Sequence, residues 1–185
     1  EKGVRLFYEI ERALEQRGFH DFLITMVGAG SEVDWLKRNL RHGDFLGVLR
    51  GEALSQAYAN MDLFVFPSRT DTFGNVIQEA AASRVPSVVT NEGGPQHLVV
   101  PEITGIVAKD DEEFVRSVVE LVTDRERLTR MGEAARERVA GVSWDAAFDL
   151  TYKAYEHCLP QATAQTTREE DLDSADVALR KAARN

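Results

Sequence analysis

Two carboxylates stand eight residues apart in the stretch "DTFGNVIQEA": Asp71 opens it, and Glu79 lies inside a run of small helix-forming residues. A carboxylate accepts hydrogen bonds from hydroxyl groups, so two set apart suit a ligand with hydroxyls at both ends. Between them, Thr72, Phe73, Gly74, Asn75 and Val76 read as the entry to a helix. The first amides of a helix have no intrahelical acceptor, and its dipole adds about half a positive charge there. Such an end is a ready anion site. Gly74 has no Cβ to keep an anion off the backbone. Lys2 stands ahead of another helix and faces the positive end of its dipole, which is unfavourable unless an anion lies close. Glu1 is one candidate for that anion, and a ligand is another.

If the helix runs from Asp71 onward, Glu79 lies about 12 Å further along its axis and about 80° round it. Both acids then border one elongated groove. Hydroxyls at each end and an anion between them make up the polarity of a nucleotide sugar. Both acids also have plainer uses. Asp71 can cap the helix, and Glu79 can lie on a solvated face.

These residues need elements to position them. "FLITMVG" (residues 22–28), "DFLGVL" (44–49), "DLFVFPS" (62–68), "PSVVT" (86–90) and "TGIVA" (104–108) read as strands. The first is a continuous apolar run, as expected of a parallel strand covered on both faces. Helical patterns alternate with them. Val4, Leu6, Phe7, Ile10 and Leu14 share one face before the stop at Gly18. "SEVDWLKRNL" follows with Ser31 as its cap, and "ALSQAYANM" leads to the third strand. From Asp111 onward the pattern is wholly helical and ends in "SWDAAFDLTYKAYEHCL", capped by Ser143. Strands alternating with helices specify an α/β fold: a Rossmann-like parallel sheet with helices on both faces. Ligands of such sheets bind beyond the carboxyl ends of the strands, where the loop 68–72 lies. "VGAGSE" lacks the third glycine of a dinucleotide fingerprint and reads as a tight strand-to-helix turn.

Composition narrows the classes further. The chain has 185 residues, enough for one well-buried domain, with 43% hydrophobic and 29% charged residues. A net charge of −9 argues against a nucleic-acid partner, since counterion release needs clustered Lys and Arg. No apolar run approaches a membrane span, and no basic-then-apolar signal opens the chain. One cysteine, Cys158, suits a reducing, cytoplasmic compartment. His20, His42, His97 and His157 are scattered without metal-ligand spacing, so no metal site is expected. The domain is expected to occupy residues 1–159. After Pro160 the text turns polar, and residues 160–185 are expected to form a mobile tail.

Together these motifs resemble the nucleotide-sugar-binding, C-terminal half of the retaining glycosyltransferases of family 4, also called glycosyl transferases group 1. The family's motif is a carboxylate, seven residues, then a glutamate, and "DTFGNVIQEA" matches it from Asp71 through Glu79. "EKG", "VGAGSE", "FLGVL", "LSQAYANMDLFVFPS", "VPSVVTNEGG", "TGIVA" and "SW" resemble the stretches around it, so the likeness runs from Glu1 to about Leu159. It implies one half of a two-domain GT-B fold, with the N-terminal acceptor domain and the first strand of this domain outside the chain. It also implies transfer of a hexose from a UDP- or GDP-linked donor, with no obligatory cofactor or metal and no activity without the acceptor domain.

The family's roles carry over by position. Asp71 and Glu79 are the catalytic candidates, with Asp71 on hydroxyls of the transferred sugar and Glu79 on the ribose. By this resemblance Lys2 would bind the diphosphate, Thr72 to Val76 would contact sugar and phosphate, and the base would pack on the loop at Val48, Leu49 and Arg50. Two positions depart from the pattern: Asp71 replaces a longer glutamate, and Arg84 stands where glycine is common.

Two other classes share the architecture. Nucleotide-sugar 2-epimerases need acid–base residues in both halves. The other is a non-catalytic doubly wound domain of receiver or flavodoxin type; a receiver needs an acidic cluster at early strand ends, and "MVGAG" offers none.

Overall fold

A computed structural model describes residues 2–141, 148–149 and 151–155 of the chain. Helix α1 (Leu6–Gln16) precedes strand β1 (Ile24–Val27), α2 (Val33–Asn39), β2 (Gly43–Gly47), α3 (Gly51–Ala59) and β3 (Phe64–Phe66). Helix α4 (Asn75–Ala82), β4 (Ser87–Thr90), a 3-10 turn (Pro95–His97), β5 (Gly105–Ala108), α5 (Asp111–Thr123) and α6 (Arg125–Ala140) follow. All these elements lie in the first of two compact units. Residues 148–149 and 151–155 belong to the second and are helical. The Ser143 cap, Cys158, His157 and the tail 160–185 lie outside the described residues.

Among the described residues every strand pairing is parallel, as the alternating pattern requires. The strands form two ladders, β1–β2 and β3–β4–β5. In the larger one Val65, Val88 and Ile106 stand in register, and β4 at its centre is buried along its whole length. β1 departs from expectation. It pairs on one edge only, Leu23 before it is 63% exposed, and its last residue, Val27, is exposed too. An apolar run is buried on both faces only where other elements pack over both, and among the described residues β1 packs closely against β2 alone.

Helix α1 ties the two ladders together. Its stripe buries Ile10 and Leu14 in the cluster of Val88, Phe114 and Val118. On its other side Glu11, only 2% exposed, accepts the backbone N–H of Arg41 at 2.9 Å and of His42 at 2.7 Å. Those amides stand just before β2, and binding them offsets the cost of burying a carboxylate. At the other end, Gly3 passes so close to the Pro67 carbonyl that a Cβ there would collide with it. α1 therefore runs from the carboxyl end of β3 to the amino end of β2, antiparallel to the strands. That path delivers Lys2 to the carboxyl edge.

Small residues in α4 have a packing reason. Ala80 and Ala81 are buried, and the helix packs against α3 and α6. Gly132 of α6 lies against the Arg84 carbonyl, where a Cβ would not fit. Arg84 itself has φ 61, the left-handed region that glycine favours at helix ends. The N–H of Val85 reaches back to the Ala80 carbonyl at 3.0 Å and closes the turn.

Caps are mixed. Asp110 and Asp124 accept the amides of Glu113 and Arg127 at 2.8 and 2.9 Å, heading α5 and α6. Ser31 does not cap α2, which starts at Val33 with Glu32 before it and no side-chain cap. The turn through Gly28 and Gly30 uses its own backbone, with the Gly30 carbonyl accepting from Val33, and this delays the helix.

Candidate functional site

β3 ends at Phe66, and Pro67 leads into a loop that lasts until α4. Ser68 is 1% exposed and anchors this loop. Its carbonyl accepts the Thr90 hydroxyl at 2.9 Å, and its own hydroxyl donates to Asp71 Oδ2 at 2.7 Å. The Lys2 ammonium donates to the same oxygen. Asp71 is thus the anion that faces Lys2 near the head of α1. The hydrogen bond from Lys2 and, next, that from Ser68 hold the Asp71 carboxyl below the usual carboxylate range, against a smaller opposing effect of burial. Beyond it, the Asp71 carbonyl accepts the Gly94 N–H at 2.8 Å. Arg69 pairs with Glu92 at 2.7 Å and with Asp111, fixing the loop from the other side.

Helix α4 starts at Asn75. Its cap position is Gly74, with φ 87 and no side-chain cap bond, so Asp71 does not cap it. The expected continuous helix from Asp71 to Glu79 is therefore corrected, and with it the 12 Å and 80° relation. The backbone of Gly93 and Gly94 packs on Asp71 and Thr72, and the Gly94 bond holds that stretch out of helical shape. Glu79 lies four residues after Asn75, about 6 Å along the axis. None of the N–H groups from Phe73 to Val76 donates to an acceptor among the described residues, whereas Ile77 bonds to the Gly74 carbonyl at 2.9 Å. The unpaired donors and the helix dipole make this corner locally positive, while the Lys2 ammonium is balanced by the Asp71 carboxylate.

Lys2, Asp71, Thr72, Phe73, Gly74, Asn75 and Val76 line one open cleft of about 370 Å³, with Phe66 at its wall. Glu79, Leu49 and Arg50 do not line it. Leu49 and Arg50 follow β2 at the carboxyl edge and lead directly into α3. Glu79 is exposed on α4 and accepts the Tyr58 hydroxyl of α3 on Oε2 at 2.9 Å. Burial, followed by this bond, pushes the Tyr58 phenol well above its usual range, so it stays a protonated donor. Among the described residues, no group of three His, Cys, Asp or Glu could hold a metal ion.

Sequence reasoning missed Ser68, Tyr58 and Arg69. Ser68 follows a strand-ending proline, a position where a polar group meets the site, and this was the one available signal. Tyr58 precedes Glu79 by 21 residues, and nothing in its neighbourhood marks the pairing.

Parallel strands flanked by helices, with an amide-rich cleft beyond their carboxyl ends that holds the Lys2–Asp71 pair, define a doubly wound α/β protein with a candidate ligand site at its sheet edge. The family model for glycosyl transferases group 1 matches residues 1–124, and the chain belongs to that family. Over 153 residues it is 36% identical to the GDP-mannose-dependent alpha-mannosyltransferase of Mycolicibacterium smegmatis, covering 81% of this chain and 40% of that protein. Sucrose-phosphate synthase from Thermosynechococcus elongatus shares the fold at a TM-score of 0.69 and 21% identity, over 85% of this chain and 42% of that one. Anabaena Alr3699/HepE, solved in complex with UDP, aligns at a TM-score of 0.65 and 18% identity, over 85% and 46% of the two chains. The chain thus spans less than half the length of each of these proteins. Among the described residues, no helix is long and apolar enough to cross a membrane.

Proposed function

We propose that this chain is the donor-binding part of a retaining hexosyltransferase with a GT-B fold, and that its donor is GDP-mannose. The observation that carries the reading is the convergence of Lys2, Asp71 and the unpaired amides of Phe73 to Val76 on one cleft. A diphosphate needs cations and N–H donors, and a hexose needs a fixed acceptor. The cleft supplies both within the reach of one side chain, since Lys2 already touches Asp71.

In this reading the diphosphate lies against the head of α4 and draws the Lys2 ammonium to itself. Asp71, still held by Ser68, then accepts hydroxyl protons of the hexose. The developing negative charge on the leaving diphosphate is stabilised by Lys2 and the amides, which are in place before the bond breaks. Glu79 takes the ribose, and the base rests near Leu49 and Arg50. A second domain presents the acceptor across the cleft. GDP-mannose is preferred over a UDP-sugar because the likeness to the mannosyltransferase is in sequence, at 36% identity, whereas the likeness to the UDP-bound HepE is in fold, at 18% identity. Reaction in the cytoplasm, where such donors are made, accords with the reading.

Calorimetric titration with GDP-mannose, GDP and UDP tests this. Binding of GDP-mannose and GDP, with UDP at least tenfold weaker, is the expected order. Tighter binding of UDP overturns the choice of base, and binding of none of the three overturns the donor site.

A further inference from the structure

We infer that Tyr58 is a positioning residue of the donor site: its hydroxyl holds one oxygen of Glu79 and leaves the other available to the ribose diol. The inference rests on the reading above, in which Glu79 grips the ribose. Tyr58 is only 6% exposed. Its ring is fixed among Ala80, Val85, Leu54, Met61 and Phe64, with the Phe64 ring 5.7 Å away at 60°. The hydroxyl at the end of this rigid ring donates to Glu79 Oε2 at 2.9 Å, and no donor to Oε1 exists among the described residues.

An exposed glutamate has three side-chain torsions, and a ligand that uses it must stop their motion. A donor fixed by packing stops that motion beforehand, so ribose meets an acceptor already in place. The arrangement also joins two ends of the donor. Helix α3 begins at Gly51, directly after Leu49 and Arg50, and carries Tyr58 seven residues later. The loop assigned to the base and the hold on the ribose acid therefore share one helix.

A double-mutant cycle read by calorimetry tests this on the full chain, with GDP, UDP and inorganic pyrophosphate as the titrants. Tyr58→Phe keeps the ring in its packing and removes the hydroxyl alone. It should weaken GDP about five- to tenfold, as expected for partial loss of a hydrogen bond to a charged group. In a Glu79→Ala background the same change should add nothing, because its route to the ligand is gone. Pyrophosphate, which has no ribose, should bind all four proteins alike.

An equal loss in both backgrounds, an equal loss for pyrophosphate, or no loss for GDP overturns the role of Tyr58. If the unsubstituted chain binds neither GDP nor UDP, the donor reading fails and takes this inference with it. If it binds GDP and Glu79→Ala changes nothing, the ribose assignment fails.

Discussion

Replacing Asp71 by alanine separates the two ends of the donor, because its carboxylate has two partners with different fates. Lys2 and Ser68 both donate to Oδ2. The Lys2 pair is half exposed on the lysine side, and such pairs are worth about 0.2–1 kcal/mol. Removing the acid frees the ammonium for phosphate, so GDP should bind equally well or up to about fivefold tighter. GDP-mannose loses an acceptor for its hexose, a charged hydrogen bond worth about 1.5–3 kcal/mol. Set against the gain at Lys2, the net loss is roughly 0.5–3 kcal/mol, or about two- to hundredfold weaker binding. Stability should also fall by about 1–3 kcal/mol, since the buried Ser68 hydroxyl loses its acceptor. Calorimetry with both ligands measures the first two effects, and thermal unfolding measures the third. If Asp71→Ala weakens GDP as much as GDP-mannose while the chain stays folded, the assignment of the sugar to Asp71 is refuted.

Other consequences follow from the same contacts. Asp71 has a depressed pKa when folded, so its contribution to stability is fully present above the unfolded value of about 3.9 and is lost as pH falls through the folded one. The melting difference between the unsubstituted chain and Asp71→Asn should stay constant from about pH 5 to 8 and shrink below about pH 4. Gly132→Ala would gain about 1 kcal/mol in an exposed helix, yet here the new methyl meets the Arg84 carbonyl. Overpacking of about 1–3 kcal/mol should win, lowering the melting temperature by several degrees, and a rise would contradict the close α4–α6 packing. Nucleotide affinity should survive EDTA, because Lys2 and backbone amides neutralise the diphosphate in this account. Loss of binding that magnesium restores would count against it.

The strands and helices were legible because period and punctuation are local properties. "PSVVT" and "TGIVA" became β4 and β5, and the stripe of Ile10 and Leu14 became the buried face of α1. The carboxyl edge could be placed for the same reason, since a strand-stopping proline shows which end of β3 bears the loop. What failed was long-range. Whether Asp71 caps α4 depends on Gly94, which is 23 residues away and pulls the loop out of helical shape through one hydrogen bond. The burial of β1 depends on which elements pack over its faces, a matter of tertiary structure. Lys2 was singled out by its awkward place before a helix, yet its partner is 69 residues on and invisible to spacing. Tyr58 gave no signal, since an aromatic residue on an apolar helix face reads as core, and its ring is core.

The central claim is that a diphosphate rests on the head of α4 beside Lys2. Backbone amide NMR of the chain during a GDP titration tests it most directly. Shifts in the amides of Phe73, Gly74, Asn75 and Val76 on adding GDP, and none of comparable size with guanosine, are the predicted result. Saturable GDP binding that leaves those four amides unmoved would contradict the account.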